Sequence, residues 1–204
     1  MKKFLIVLIC LFVMSATALA AARIDTSDVG SKGGSGSGGG PGGGGDVKSV
    51  YLYPDSEGDV QQWNPYPPFG LDVHWDKVDD RHVDMDETYV WTTETNSVEE
   101  FNHRDCVFPS MSIVNVKVVA GMRTIELGVN IVNVGLKING IRFAGAYCLL
   151  GDMYAAFPSD YPVNPFTGKS WTSLDINNLQ SSIEYVYGSS EVRCTQVFIL
   201  VSYI

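Results

Sequence analysis

The chain predicts an all-β fold: an antiparallel jelly-roll-like β-sandwich with one short helix, preceded by a signal peptide and a Gly-rich flexible tail. Three observations predict it. Val, Ile, Tyr and Thr are abundant after residue 46, while the 3.6-residue period of an amphipathic helix is nearly absent. Short apolar runs are separated by turn residues, at Pro54–Gly58, Pro65–Gly70, Asn139–Gly140 and Gly188–Ser190. The 159 residues from Asp46 to Ile204 are enough for one well-buried domain, and many short strands with frequent turns indicate a sandwich or barrel.

The chain opens with Lys2 and Lys3, an apolar run from Phe4 to Val13, and the A-x-A signal Ala18-Leu19-Ala20. That order is a secretory signal peptide, residues 1–20, cut after Ala20. The run is short for a membrane span, and no later segment supplies one, so no transmembrane anchor is expected. Cys10 does not make a lipoprotein signal, because Ile9 stands where a small residue is wanted. Residues 21–45 are a stub followed by a linker with 11 glycines between Gly30 and Gly45. That composition buries nothing and spans roughly 20–25 Å as a flexible tether. The stub could instead serve as a strand for a neighbouring subunit. The expected setting is secreted, extracellular or at the cell surface, with the periplasm as a variant.

Strands are expected at about 47–53, 59–63, 71–78, 88–94, 98–103, 111–119, 123–132, 135–142, 146–157, 182–187 and 191–203. The last belongs mid-sheet, since its second half is apolar on both faces. Alternation places Val192, Cys194, Gln196 and Phe198 on one face and Arg193, Thr195, Val197 and Ile199 on the other. The helix starts at a capping box of Thr172 and Asp175, with Ile176 and Leu179 on its inner side. Cys106, Cys148 and Cys194 remain after cleavage, an odd number. One internal bridge stays open, with its pairing undetermined.

The net charge of −9 becomes −11 once the two leader lysines are removed. An acidic surface excludes nucleic acid as a partner, since phosphates need a basic one. Fourteen acids against three bases lie between Asp55 and Asp105. Within that block Asp79, Asp84, Asp86 and Glu87 could gather, with backbone carbonyls, into a structural Ca2+ cage. The spacing is not that of an EF-hand. His74 and His82 lack zinc spacing. There is no G-x-S-x-G elbow, phosphate loop or dinucleotide fingerprint, and His103 near Cys106 is adjacency, not a dyad. The chain therefore reads as no enzyme.

Binding is argued from rings in proline-stiffened loops. Trp63, Tyr66 and Phe69 sit in one, Tyr161 and Phe166 in another. Flat rings can cover the C–H faces of sugars while Asn and Asp hold hydroxyls. Trp75 and Trp91 are read as core.

The run NPFTGKSWTSLDINNLQSSIEYVYGSSEVRCTQVFILV, with DMDETYVWT before it, resembles a loosely defined β-sandwich module of phage and environmental microbial structural or surface proteins. Asn164, Pro165, Thr167, Gly168, Trp171, Thr172, Asp175, Asn177, Leu179, Ile183, Glu184 and Gln196 carry the likeness. It implies a jelly-roll-like fold over residues 46–204 and brings no catalytic residues. The expectation is a secreted, non-enzymatic sandwich with a structural or adhesive role at a microbial surface or in an extracellular assembly. The alternative is a carbohydrate-binding module with a structural calcium. Partners would be further copies of the chain or an extracellular glycan.

Overall fold

The computed structural model describes residues 46–68, 73–82, 84–108 and 111–204. The expected signal peptide 1–20, the tail 21–45 and Phe69 lie outside the described residues. Within them the chain forms β1 (Lys48–Leu52), β2 (Pro54–Gln61), β3 (Asn64–Tyr66), β4 (Tyr89–Thr92), β5 (Val98–His103), β6 (Ile113–Thr124), β7 (Ile131–Ile138), β8 (Ile141–Leu149), β9 (Ala155–Tyr161), β10 (Leu179–Tyr187) and β11 (Val192–Tyr203). One helix, α1, spans Ser173–Asn177.

The strands make two antiparallel sheets. The first runs β3-β4-β11-β6-β9, with β1 also on β11; the second runs β2-β5-β10-β7-β8. Phe101, Met122, Leu136, Ile138, Ile183, Tyr185 and Ile199 are wholly buried between them. Each buried aliphatic or aromatic side chain contributes about 1.5–3 kcal/mol relative to exposure. The fold is the jelly-roll-like sandwich that the alternation of short strands predicts.

β11 is central, as its apolar second half requires. It pairs with β6 along its whole length, and with β4 and β1 end to end on the other side. Between those two partners the segment after a 3-10 turn at Trp75–Lys77 closes the gap. The Val197 N–H donates to the Val78 carbonyl at 2.9 Å, and Gln196 Nε2 to the Asp80 carbonyl at 2.6 Å. Val78 drops its side chain into the core. The expected strand at 71–78 is thus corrected over its described part: its alternation comes from one turn and one plug residue.

Two further expectations are corrected. β6 is one strand from Ile113 to Thr124, not parts of two, because Gly121 lies beneath Gln196 without breaking the ladder. And the alternation of β11 changes face at Thr195. A bulge there puts Cys194 opposite Met122 and Gln196 opposite Gly121. Val192 and Cys194 point inward before it; Val197, Ile199 and Val201 do so after it. Gln196 therefore does not share the face of Cys194.

The Asn139–Gly140 turn closes the β7–β8 hairpin with both residues at positive φ, 51° and 78°. The Thr172–Asp175 capping box forms in both directions and starts α1. Ile176 is its buried residue, while Leu179 already belongs to β10. Cys106, Cys148 and Cys194 are all unpaired thiols. Among the described residues no helix is long and apolar enough to cross a membrane.

Candidate functional site: a polar groove on the second sheet

The register of the second sheet sets its outward rows. Asn102, Gln180, Lys137 and Arg142 form one; Glu100, Ser182 and Gly135 the next; Val98, Glu184, Asn133 and Tyr147 a third; Tyr187, Ile131 and Leu149 the last. A glycine on the central strand leaves a hollow. The result is a cleft of about 260 Å³ lined by Asn133, Gly135, Arg142, Phe143, Ala144, Ser182 and Glu184. The hollow depends on Gly135: a Cβ there would meet the Phe143 carbonyl oxygen at 2.6 Å.

The groove is built rather than incidental. Asn133 is buried, with its Oδ1 accepting from the Gly145 N–H at 3.2 Å and its Nδ2 donating to the Gly145 carbonyl at 3.2 Å. Those bonds hold the irregular stretch of β8 between Phe143 and Ala146 against β7. Next to the cleft lies an ion cluster. Lys137 Nζ donates to Glu100 Oε2 at 2.7 Å and to Asp59 Oδ2 at 2.8 Å, and Gln180 Nε2 donates to Asp59 Oδ1 at 3.0 Å. Hydrogen bonds from Lys137 and Gln180 hold the Asp59 carboxyl below its usual range. Burial pulls Lys137 down, but bonds to Asp59 and Glu100 outweigh it and raise the ammonium.

The Glu100 side chain is 0% exposed, yet its Oε1 takes no hydrogen bond; Arg142 Nε stands 3.8 Å away. A buried carboxylate needs a partner, and Lys137 supplies it to Glu100. Arg142, half exposed, is left with donors to spare on the cleft wall. Tyr147, opposite Asn133 in the register, lies beside the cleft and is 58% exposed; Tyr187 lies one row beyond, toward the end of the sheet. The face combines planar polar side chains with open rings, which suits a ligand that has hydroxyls at its edge and C–H faces.

The structure disperses the residues expected from sequence. Trp63 is buried, and the reason is Glu99. That buried carboxylate accepts from the N–H groups of Gln62 and Trp63 and lies 2.8 Å from His74 Nδ1, drawing the segment inward. Burial raises the Glu99 carboxyl despite His74 and these N–H donors. Tyr161 is buried too: its hydroxyl donates to the Phe143 carbonyl, and its own carbonyl accepts from Trp171 Nε1 at 2.8 Å. Both rings are corrected to core residues. Tyr66 and Phe166 are exposed, but at opposite edges of the first sheet. Tyr66 stacks on Tyr89 at 4.6 Å, with the Arg193 guanidinium over the far ring. Phe166 sits on a turn whose N–H groups bond to the Asn164 side chain. Phe69 lies outside the described residues.

The expected calcium ligands also find other partners. Asp84 accepts from the Thr88 N–H, the Thr88 hydroxyl and the Thr195 hydroxyl. Asp86 accepts from Arg193, Tyr154 and Arg123 at 2.7–3.0 Å. Burial pushes Asp86 up, but those donors outweigh it and hold its carboxyl low. Burial, then the neighbouring Asp76, raises the Asp79 carboxyl, and Glu87 is exposed. Asp84 and Asp86 clamp the loop to the first sheet. Among the described residues no group of three or more His, Cys, Asp or Glu side chains is placed to hold a metal.

No protein-family model matches the chain, and no curated protein sequence matches it. Similar solved structures include the CBM22-1 xylan-binding domain of Paenibacillus barcinonensis Xyn10C, at 13% identity and a TM-score of 0.40, covering 77% of this chain and 95% of that one. A carbohydrate binding module of family 29 aligns at 7% identity and a TM-score of 0.39, over 76% and 92% of the two chains. The enzymatically active domain of bacteriophage CBA120 tailspike protein 4 aligns at 10% identity and a TM-score of 0.37, over 75% of this chain and 19% of that one.

Proposed function

We propose that this chain is an extracellular glycan-binding β-sandwich whose site is the groove on the outer face of the second sheet. One observation carries the reading: a hollow over Gly135, walled by Asn133, Ser182, Glu184 and Arg142, stands beside the open ring of Tyr147. Glu184 and Ser182 offer acceptors to sugar hydroxyls, Arg142 offers donors, and Tyr147 offers a flat face. The role is binding without turnover: Glu100, the carboxylate deepest in this face, is engaged by Lys137, and no reacting pair is needed for recognition. Export by the leader would place the domain among such glycans, as a surface adhesin or secreted binder. This reading takes up the carbohydrate-binding alternative read from the sequence ahead of the structural or adhesive role. Calcium plays no part in it.

The test is affinity electrophoresis of the full chain through gels containing xylan, mannan, β-glucan or bacterial exopolysaccharide. Retardation by at least one polysaccharide is expected. It should be lost in Tyr147→Ala and in Glu184→Ala and unchanged in Tyr66→Ala. Equal retardation of all four proteins would move the site elsewhere, and no retardation in any gel would end the proposal.

A further inference from the structure

At the end of the sandwich where β11 begins, four connections meet: residues 93–97, 125–130, 150–154 and 188–191. Hydrogen bonds tie the last three together. The Thr124 N–H donates to the Gly151 carbonyl, the Ile125 N–H to the Glu191 carbonyl, and the Tyr185 hydroxyl and Ser190 N–H both reach Asn130 Oδ1. This well-bonded end nevertheless turns aliphatic side chains outward. Leu127 is 86% exposed and Met153 78%, with Ile125, Val129, Leu149 and Tyr187 exposed around them. Single exposed apolar residues are ordinary, but six at one end mark an interaction surface.

Charge decides what it fits. The four connections contain Glu94, Glu126, Asp152 and Glu191 and no Lys, Arg or His. Glu191 is engaged by Arg193 at 2.6 Å, while Glu94, Glu126 and Asp152 are exposed. A second copy would bring like charges together, and an anionic membrane would repel them. Lys48 pairs with Tyr203, at the far end of β11, roughly 35–40 Å away along the strand.

We infer that this tip docks a cationic amphipathic segment of a partner protein, with its apolar side chains on Leu127 and Met153 and its Lys or Arg side chains against Glu94, Glu126 and Asp152. The inference is independent of the groove and of whether glycan binds there.

The experiment is a calorimetric titration of the full chain with a 14-residue helical peptide of Leu and Lys only, and with its Leu/Glu counterpart. Lecithin vesicles and sedimentation of the chain alone are run beside it. Expected results are saturable binding of the Leu/Lys peptide and none of the Leu/Glu peptide or the vesicles. Loss of about tenfold or more in affinity is expected for Leu127→Ser with Met153→Ser. Both side chains are exposed, so the double variant keeps the fold and any groove activity. Absence of Leu/Lys binding, equal binding by the double variant, or equal binding of both peptides overturns the inference. So does vesicle binding or dimerisation that the double variant abolishes.

Discussion

His103 gives the sharpest prediction about stability. Its ring spans the two sheets: Nδ1 lies 2.9 Å from the Leu52 carbonyl on β1, and Nε2 lies 2.8 Å from the Ser181 hydroxyl on β10. A carbonyl only accepts, so Nδ1 carries the proton and Nε2 accepts from Ser181. That neutral tautomer is what burial permits. Desolvation lowers the imidazole from 6.5 to about 4, against a smaller opposing effect of the Leu52 carbonyl. The sign follows from proton counting. Between pH 6.5 and about 4 the unfolded chain binds a proton at this site that the folded chain does not. Stability is therefore highest above pH 6.5 and falls as pH drops to about 4, by about 3 kcal/mol for this one group. A domain of this size has about 5–15 kcal/mol in total, so the effect is large. Urea denaturation at several pH values between 7.5 and 4 should show it as the difference between wild type and His103→Gln. The variant should be about 1–3 kcal/mol less stable at pH 7.5, because the Leu52 carbonyl loses its donor. Its deficit should shrink by about 3 kcal/mol between pH 7.5 and 4, reaching zero at or before pH 4 and reversing if the starting deficit is the smaller figure. Carboxylates such as Glu99 titrate in both proteins and cancel in the comparison. A deficit that stays constant with pH would refute the argument.

Two further outcomes follow from the charged clusters. Lys137→Met should cost about 3–5 kcal/mol in chemical denaturation, because it strands the buried Glu100 charge; adding Glu100→Gln should restore most of it, whereas Asp59→Asn alone, at an exposed carboxylate, should cost under about 1 kcal/mol. Chelation with EDTA, or added calcium, should leave the melting temperature unchanged, since Asp84 and Asp86 are already engaged by Thr88, Thr195, Arg123 and Arg193; a rise with calcium would restore the cage first expected from the acidic run.

The parts legible in the sequence were those written in local chemistry. Asn139–Gly140 names its own turn, Thr172 and Asp175 name their cap, and the strand from Val98 to His103 falls where it is expected at both ends. What failed was set by tertiary contact. The bulge at Thr195 exists because Asp84 and the loop backbone engage that stretch from outside, and nothing within β11 announces it. Trp63 reads as a loop ring among prolines, but a carboxylate 36 residues away pulls it inward. The groove was invisible for the same reason: Tyr147, Asn133 and Glu184 share a face only through the register of three strands. A faint signal was present. Asn133, Gly135 and Lys137 alternate with Val134, Leu136 and Ile138 along β7, and Ser182 stands beside them on β10.

The central claim is that the outer face of the second sheet binds glycan, and its most direct measurement is an NMR titration of the labelled full chain with the polysaccharide fragment that retards it most in gels. The account predicts that the Gly135 backbone amide and the Asn133 side-chain amide shift saturably, with neighbours on β8 and β10, while Tyr66 and Phe166 stay still. Tyr147→Ala should weaken the fitted affinity about tenfold. Shifts confined to the first sheet or to the loop of Phe166, with Gly135 and Asn133 unmoved, would contradict it.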